Sequence, residues 1–259
     1  MSDFISEENV IKRLKKIKGH VGFYYKNLIT GEIWQYNSND IFIAASIIKL
    51  PLAIVLERAI ISEKIIPETI LKITKEDKVE GCGFLSLIPE DIEVSIRGLI
   101  NNMLAISDNT ATNKLIELMS LEGVAAGFEQ LGLKRTRINR LLCDEERDAQ
   151  GINNFFALDE IMMLLENLHS KSYGETITAN VLTPLKLQQV AHKIPCRLAG
   201  KVTVANKTGE DENTSHDVAI VYGKDPFLLG IAANDTDVYE IEDAMRNIAL
   251  ELYELQLKG

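Results

Sequence analysis

The 259-residue chain has little of what disulfide frameworks, metal clusters and membrane spans require. Its three cysteines, Cys82, Cys143 and Cys196, are odd in number, far apart and outside any CxxC spacing. Scattered cysteines of this kind are typical of reduced, partly buried thiols. The longest apolar run, residues 41–56, is interrupted by a lysine and a proline, so it is too short and too polar to cross a bilayer.

Positive charge is also scarce, because 28 Lys and Arg residues face 38 Asp and Glu residues and give a formal net charge of −10. Nonspecific binding of nucleic acid or of an anionic membrane requires a basic face, so this balance argues against both partners. It still allows a small anionic substrate in a local basic pocket. The composition, 46% hydrophobic and 25% charged, is that of a globular protein with a sizeable core.

The N-terminal segment, residues 1–8, carries acidic residues and lacks the apolar stretch of a secretory signal. We therefore expect a cytoplasmic protein for the sequence as written. An exported protein would need a signal ahead of this segment.

Strand-like segments lie near both ends of the chain, and helical segments lie between them. The strand-like segments are 20–28, 32–36, 202–207, 218–222 and 227–233, and the helical segments are 7–17, 46–60, 96–105, 107–119, 121–131, 157–169, 179–190 and 238–255. This order predicts one α/β (α+β) domain whose antiparallel sheet is built from both termini. We expect a sheet subdomain of residues 1–45 and 200–259 and a helical subdomain of residues 46–199. Ligands favour the seam between two such lobes.

Ser46 and Lys49 form a Ser-x-x-Lys pattern at the start of an apolar helical segment. Residues i and i+3 share one face of a helix, with Cβ atoms about 5–6 Å apart. A serine hydroxyl needs a base beside it to become a nucleophile, and a lysine amine becomes that base once burial or nearby charge lowers its pKa. The alternative is a serine N-cap and a solvated lysine. The apolar residues around Lys49 argue against that alternative.

Ser107, Asp108 and Asn109 precede the next helical pattern. These residue types also cap helices, because their oxygens accept hydrogen bonds from free backbone N–H groups. In the functional interpretation, Ser107 relays a proton between Lys49 and a leaving nitrogen. Asn109 then holds a substrate amide and orients Lys49, and Asp108 fixes the loop.

Lys207, Thr208 and Gly209 end an apolar strand. A strand end with a glycine turn is the structural interpretation. In the functional interpretation, Lys207 and Thr208 bind a carboxylate, and Gly209 keeps the strand edge open for a substrate. The backbone N–H of Glu210 then forms an oxyanion hole with that of Ser46.

The three motifs together are rare by chance. About one Ser-x-x-Lys is expected in a chain of this size, whereas Ser-Asp-Asn and Lys-Thr-Gly are each expected less than roughly one time in ten. The set resembles that of the class A β-lactamase family of penicillin-recognising serine hydrolases. Residues 98–119 look like the family's Ser-Asp-Asn helix, 136–140 like the entry to its omega loop and 207–223 like its active-site strands. The likeness spans about residues 20–255.

The resemblance implies a β-lactamase/transpeptidase-like fold and a role for each motif residue. The implied roles are the acylated nucleophile Ser46, the general base or proton relay Lys49, the second relay Ser107, the substrate-binding residues Asn109, Lys207, Thr208 and Gly209, and the oxyanion-hole N–H groups of Ser46 and Glu210. The resemblance implies no metal or cofactor, and we expect a monomer. We expect His216, on a predicted strand, to be structural.

The chain departs from the family in the omega loop, which makes it a divergent member with a shortened loop. Class A enzymes carry Glu-x-x-Leu-Asn there, and that glutamate activates the deacylating water. Residues 141–148, after Arg140, lack this motif. Asp144, Glu145 and Glu146 either form a solvated acidic loop that pairs with Arg140, or Asp144 or Glu145 replaces the missing base. Without a replacement, the enzyme is expected to acylate and then stall.

The arginine that class A enzymes often place beyond Lys-Thr-Gly is also missing, since Lys224 is the one basic residue in segment 218–233. The leading hypothesis is a serine hydrolase that opens the ring of β-lactam antibiotics, with slow deacylation. The alternatives are a D-Ala-D-Ala peptidase or penicillin-binding protein, a glutaminase-like amidase, and a non-catalytic ligand-binding relative. The intact motifs argue against the last of these.

Overall fold

The computed structural model describes residues 5–258, so half of the acidic N-terminal segment 1–8 lies outside the described residues. The strands are β1 (His20–Asn27), β2 (Ile33–Tyr36), β3 (Ile41–Ile43), β4 (Ile70–Ile73), β5 (Ile92–Ser95), β6 (Phe155–Ala157), β7 (Val204–Asp211), β8 (Thr214–Val221) and β9 (Phe227–Asn234). The α-helices are α1 (Glu7–Leu14), α2 (Lys49–Ile61), α3 (Ile96–Ala105), α4 (Asn109–Met119), α5 (Leu121–Gln130), α6 (Glu145–Ala149), α7 (Leu158–His169), α8 (Glu175–Lys186) and α9 (Val238–Lys258). Two short 3-10 helices cover Ala45–Ile48 and Leu85–Leu87.

Five strands form the main sheet in the order β2-β1-β9-β8-β7, and every neighbouring pair is antiparallel. The chain ends thus meet inside one sheet, where β1 pairs with β9. The predicted class is confirmed, because this antiparallel sheet from both ends of the chain is flanked by helices. Strand β7 lies at the edge of the sheet, and this edge carries the Lys-Thr-Gly motif.

Both faces of the sheet are covered. All residues of β8 and β9 are buried. Helix α9 packs on one face, with α1 beside it. Helix α7 packs on the other face so closely that a Cβ added to Gly230 would lie 2.7 Å from Met162 Sδ and 2.8 Å from Leu158 Cδ1. Helix α7 lies within the segment predicted as the helical subdomain, but it packs directly on the sheet. The division into subdomains stays a prediction.

Several elements begin at other residues than the sequence pattern predicts, for example β8 at Thr214 instead of residue 218, and two of these shifts have a clear physical reason. The segment from Ser46 starts as the 3-10 helix Ala45–Ile48, and α2 follows with Pro51 in its first turn, where the missing N–H has no helical partner. Helix α8 is Glu175–Lys186 instead of the predicted 179–190. It starts after Gly174, whose φ of 88° favours glycine. The pattern misses this start because the first turn contains one apolar residue, Ile177.

A small ladder that the pattern does not predict connects the site to the omega-loop region. Strand β3 pairs with β6, with Phe42 opposite Phe156. Beyond the ladder, the Ala44 N–H donates to the Asn154 carbonyl at 2.8 Å. The segment that leads into Ser46 is thereby fixed against the segment that leaves the loop. Within residues 5–258, no helix is both long and apolar enough to span a membrane.

Candidate active site

The Ser-x-x-Lys residues lie at the junction of the 3-10 helix and α2. Lys49, the first residue of α2, is fully buried, and Ser46 is 8% exposed. The Lys49 Nζ donates to the Ser46 Oγ at 2.9 Å. Ala45, just before the serine, has a φ of 40°, a conformation that costs a non-glycine residue energy and recurs at functional sites. The burial of Lys49 rules out the solvated-lysine alternative.

The buried Lys49 amine also contacts the Ser-Asp-Asn motif. Its Nζ donates to the Ser107 carbonyl at 2.6 Å, to the Ser107 Oγ at 3.1 Å and to the Asn109 Oδ1 at 2.7 Å. The Lys207 Nζ reaches the same Ser107 Oγ at 3.0 Å. One continuous chain therefore runs from Ser46 Oγ through Lys49 Nζ and Ser107 Oγ to Lys207 Nζ. The structure brings together residues that are 161 positions apart in the sequence.

The Asp108 carboxylate fixes the Ser-Asp-Asn loop through backbone hydrogen bonds. It is the N-cap of α4, where its Oδ1 accepts from the Ala111 N–H at 2.8 Å. Its Oδ2 accepts from the N–H groups of Phe84 and Leu85 at 2.7 and 2.9 Å. The capping interpretation thus holds for Asp108, whereas Ser107, with a φ of 57°, is turned toward the two lysines.

Asn109 joins Lys49 to the opposite wall of the site. Its Nδ2 donates to the Glu80 carbonyl at 3.1 Å and to the Cys143 Sγ at 3.4 Å. Its backbone N–H donates to the Cys82 carbonyl at 2.9 Å. Two of the three cysteines are therefore neighbours of the motif residues, which their scattered positions in the sequence do not reveal. All three thiols are free, but Cys143 and Cys196 are exposed, so the prediction of partial burial is wrong for those two.

The Lys-Thr-Gly edge passes very close to the 3-10 helix of Ser46. A Cβ added to Gly209 would lie 3.0 Å from Ile47 Cγ1 and 3.2 Å from the Ala44 oxygen. Behind the strand it would meet His216 Cδ2 at 2.9 Å. Glycine is therefore favoured here because the Ala44 carbonyl and the side chains of Ile47 and His216 lie so close to its Cα. Its role in keeping the strand edge open for a substrate stays a prediction.

Burial sets the charge of the two site lysines. It lowers the pKa of Lys49 well below its usual value, and the positive charge of Lys207 lowers that pKa further. Burial also lowers the pKa of Lys207 to about 7. A neutral amine at Lys49 can accept a proton from the Ser46 hydroxyl, and a charged amine at Lys207 can bind an anion.

Two further ionisable side chains lie beneath the site on β8. The fully buried His216 donates from Nε2 to the Ile43 carbonyl at 2.8 Å and accepts at Nδ1 from the Ala233 N–H at 3.1 Å. Burial lowers its pKa to about 3, so the ring is neutral and links strands. Burial raises the pKa of Asp217 to about 7, and its carboxyl accepts from Asn206 Nδ2 and the Ile194 N–H, both at 3.0 Å.

A cleft of about 210 Å³ opens above Ser46. Its lining residues are Ile43, Ala45, Ser46, Gly81, Cys82, Asn109, Arg140, Leu142, Cys143, Asn153, Asn154, Glu210 and Asp211. Of the described residues in this lining, Glu210 and Asp211 carry the carboxylates, and both lie on the β7 side. The omega-loop side presents an arginine, a leucine, a thiol and two amides, which no motif in the sequence indicates.

Asp144, the candidate deacylation base, caps α6 instead of lining the cleft. Its Oδ1 accepts from the Arg147 N–H at 3.0 Å, and its Oδ2 lies 3.9 Å from Arg147 Nε. Arg140 pairs with Asp148 at 3.2 Å and not with the three acidic residues named from the sequence. It also donates to Asn153 Oδ1 at 2.8 Å, which closes the loop on itself.

Within residues 5–258, one cluster brings three potential metal-ligand side chains together. His192, Glu210 and Glu242 bring ligand atoms within 4.8 Å of one another. The Lys193 Nζ lies 3.0 Å from Glu210 Oε1 and 3.9 Å from Glu242 Oε1. A buried ammonium therefore already compensates the two carboxylates.

Fold and site together match those of a serine hydrolase. The model described as "Beta-lactamase enzyme family" matches residues 6–256, so the chain belongs to that family. Beta-lactamase CARB-4 of Pseudomonas aeruginosa is 21% identical over 252 residues, which cover 92% of this chain and 86% of the relative. The resemblance to class A β-lactamases is thus confirmed, and the protein is a hydrolase of this type.

Solved structures agree on the fold. An ancestral class A β-lactamase (GNCA) superposes with a TM-score of 0.87 at 18% identity, covering 96% of this chain and 99% of its own. PBP-A superposes with a TM-score of 0.88 at 19% identity, covering 98% and 96%. A second PBP-A structure with a TM-score of 0.87 is the L158E mutant in an acyl-enzyme complex with penicillin-G.

Proposed function

We propose that the protein opens the β-lactam ring through an acyl-enzyme on Ser46. The observation that carries this proposal is the 2.9 Å contact between Ser46 Oγ and the fully buried Lys49 Nζ. Burial lowers the pKa of this amine and so favours the neutral form, which is the state that a general base requires.

The chain of contacts supports a complete acylation step. Lys49 takes the proton of Ser46 as Oγ attacks the lactam carbonyl carbon. The carbonyl oxygen becomes an oxyanion, which the backbone N–H groups of Ser46 and Glu210 stabilise. When the C–N bond breaks, the lactam nitrogen takes a proton from Ser107 Oγ, and Ser107 recovers one from Lys49. The step thus forms the Ser46 ester bond, breaks the C–N bond of the ring, moves one proton from Ser46 to the ring nitrogen, and returns Lys49 and Ser107 to their starting states.

Other motif residues hold the substrate. The Lys207 ammonium and the Thr208 hydroxyl bind its carboxylate, and Gly209 lets it lie against β7. Asn109 has its amide oxygen on Lys49, so it both orients the base and borders the cleft where an acylamide side chain lies.

Deacylation is the slow step in this proposal. A water that attacks the ester needs a base, and the omega-loop side of the described cleft lining offers no carboxylate. Asp144 is engaged by Arg147 at the start of α6. We therefore infer that the acyl-enzyme accumulates.

A second candidate, a D-Ala-D-Ala peptidase or penicillin-binding protein, is favoured by the same observation. Such an enzyme also acylates its serine and holds the penicilloyl group. PBP-A, which has this fold, forms the penicillin-G acyl-enzyme as its L158E mutant. The two candidates share the acylation step and differ in turnover and in peptide substrate.

Intact-mass time courses with benzylpenicillin test the proposal in wild type, Ser46→Ala and Asp144→Asn. We expect a rapid gain of one penicillin mass in the wild type, slow return to the free mass, and no gain in Ser46→Ala. Asp144→Asn should release its acyl group at the wild-type rate. Prompt return in the wild type contradicts slow deacylation, and a stalled Asp144→Asn would assign the base to Asp144. Nitrocefin turnover against D-Ala release from a D-Ala-D-Ala peptide separates the two candidates.

A further inference from the structure

A fully buried lysine that belongs to none of the three motifs supports the end of the Lys-Thr-Gly strand. Lys193 lies in the connection between α8 and β7, residues 187–203, and its side chain is 0% exposed. Burying an ammonium is costly unless it is paired and hydrogen-bonded. A buried charge is therefore expected where it has a specific role or is well compensated. The partners of Lys193 indicate what it does.

The partners of Lys193 lie on three different elements. Its Nζ donates to the Gly209 carbonyl at 3.3 Å on β7 and to the His216 carbonyl at 3.2 Å on β8. The Glu210 carboxylate lies 3.0 Å away, and that of Glu242 on α9 lies 3.9 Å away. Two carbonyls and two carboxylates therefore surround one cation.

The contact with Gly209 bears directly on catalysis. The Gly209 carbonyl and the Glu210 N–H belong to one peptide group, and this N–H is the oxyanion-hole donor in the proposed function. The described chain has no cis peptide, so the N–H points away from the carbonyl and hence away from Lys193. A cation on the carbonyl oxygen fixes the peptide plane and polarises the N–H at its other end.

We propose that Lys193 is a positioning residue that orients and polarises the Gly209–Glu210 peptide group for the oxyanion. The inference rests on the proposed function, because it assigns a support to one of its donors. Lys193 is fully buried and is not among the residues that line the cleft, so it acts through the peptide group. Its carboxylate partners hold it in place, and the His216 carbonyl ties it to the neighbouring strand.

The charges around Lys193 add a second readout. His192 and Glu242 face it from the outer side, and Lys207 and Asp217 lie toward the active site. The positive charge of Lys193 is among the causes that lower the pKa of Lys207. Removing that charge therefore moves the loss of carboxylate binding to higher pH.

The test compares wild type with Lys193→Met in single-turnover acylation by benzylpenicillin. Losing an oxyanion donor costs about 100- to 1,000-fold, and here the donor remains but is misoriented, so we expect the acylation rate constant to fall about 30-fold. The ground-state dissociation constant should change less than about threefold, because the oxyanion forms only in the transition state. A phenylboronic acid forms a tetrahedral adduct on Ser46 that places an oxygen in the oxyanion hole. Its dissociation constant should therefore rise by about the same factor as the acylation rate constant falls. The alkaline limb of the acylation profile should move to higher pH.

The control is Lys26→Met, which removes a part-buried lysine on β1, three strands away from β7, whose Nζ lies 2.6 Å from Glu166 Oε1. It should acylate as wild type does. If Lys193→Met does not fold, Lys193→Gln replaces it, since its neutral amide can still donate to the Gly209 oxygen, with a loss of about tenfold expected. Equal acylation and boronate affinity in wild type and variant overturn the inference. A wild type that is never acylated overturns the proposed function instead.

Discussion

Replacing Lys207 by methionine should change the shape of the acylation pH profile in two ways. The Lys207 and Lys49 amines each lie within 3.1 Å of Ser107 Oγ, so they are at most about 6 Å apart. Two unit charges at that distance repel by about 3 kcal/mol at an effective dielectric constant of 20. Without this repulsion the pKa of Lys49 rises, because Lys207 is one of the causes that lower it.

The sign of each effect follows from the charge that each group needs. Lys49 must be neutral to accept a proton, so activity is lost as the pH falls, and in Lys207→Met this acid limb moves to higher pH. At a pH on that limb, we divide each acylation rate constant by the plateau value of the same protein. This ratio should be up to about 100-fold lower in the variant than in wild type. In wild type, Lys207 must be charged to bind a carboxylate, so the acylation rate constant should fall as the pH rises above the Lys207 pKa of about 7. This alkaline limb should be absent in Lys207→Met.

The assay is the second-order acylation rate constant, kcat/KM or its single-turnover equivalent, between pH 5 and pH 9. Thr208→Val is the matched control, since it weakens carboxylate binding and leaves the Lys207 charge in place. It should lower the whole profile without moving the acid limb. An acid limb that stays in place, or moves to lower pH in Lys207→Met, would refute the assignment of Lys49 as the base.

Three other variants probe the packing of the site. Gly209→Ala places a methyl 2.9 Å from His216 and should slow acylation about 100-fold as β7 shifts, whereas Gly123→Ala in α5, with 3.5 Å to its nearest neighbour, should acylate normally. Asp108→Ala removes the acceptor of three backbone N–H groups and should lower the unfolding free energy by about 4 kcal/mol in urea titrations, and a loss under about 1 kcal/mol would contradict this role. Asp217, with its pKa raised to about 7, keeps its proton in the folded state between pH 3.8 and 7, where the unfolded chain loses it, so wild-type stability falls as the pH rises. The stability of Asp217→Asn relative to wild type should therefore increase by up to about 4 kcal/mol from pH 4 to pH 8, and a difference independent of pH would contradict the buried carboxyl's titration.

The fold was predictable where hydrophobic periodicity is strong. Strands of the main sheet and most helices follow from apolar spacing, and the order of strands and helices predicts a sheet from both ends of the chain. Strands β3 and β6 have three residues each, too few to show a period. Helix α8 begins at a glycine conformation, and such a start is set by backbone geometry that apolar spacing does not encode.

The motif residues could be named from the sequence, but their mutual contacts could not. The spacing of Ser46 and Lys49 predicts one helical face, whereas the bridge through Ser107 Oγ depends on tertiary packing. The cleft wall of the omega loop, and the role of Lys193, come from residues without a sequence signature. The residues next to Lys193 in the sequence do not indicate its burial, whereas the apolar run around Lys49 does.

The most direct test of the account is to locate the acyl group after reaction with benzylpenicillin. Peptide mapping of quenched wild-type protein should place one whole penicilloyl group, with no atoms lost, on the Ser46 hydroxyl. Lys49→Met should carry little or none under the same conditions, because the hydroxyl then has no base. A label on the Cys143 thiol, or an equally fast label on Ser46 without Lys49, would contradict the claim that this serine and lysine form the catalytic pair.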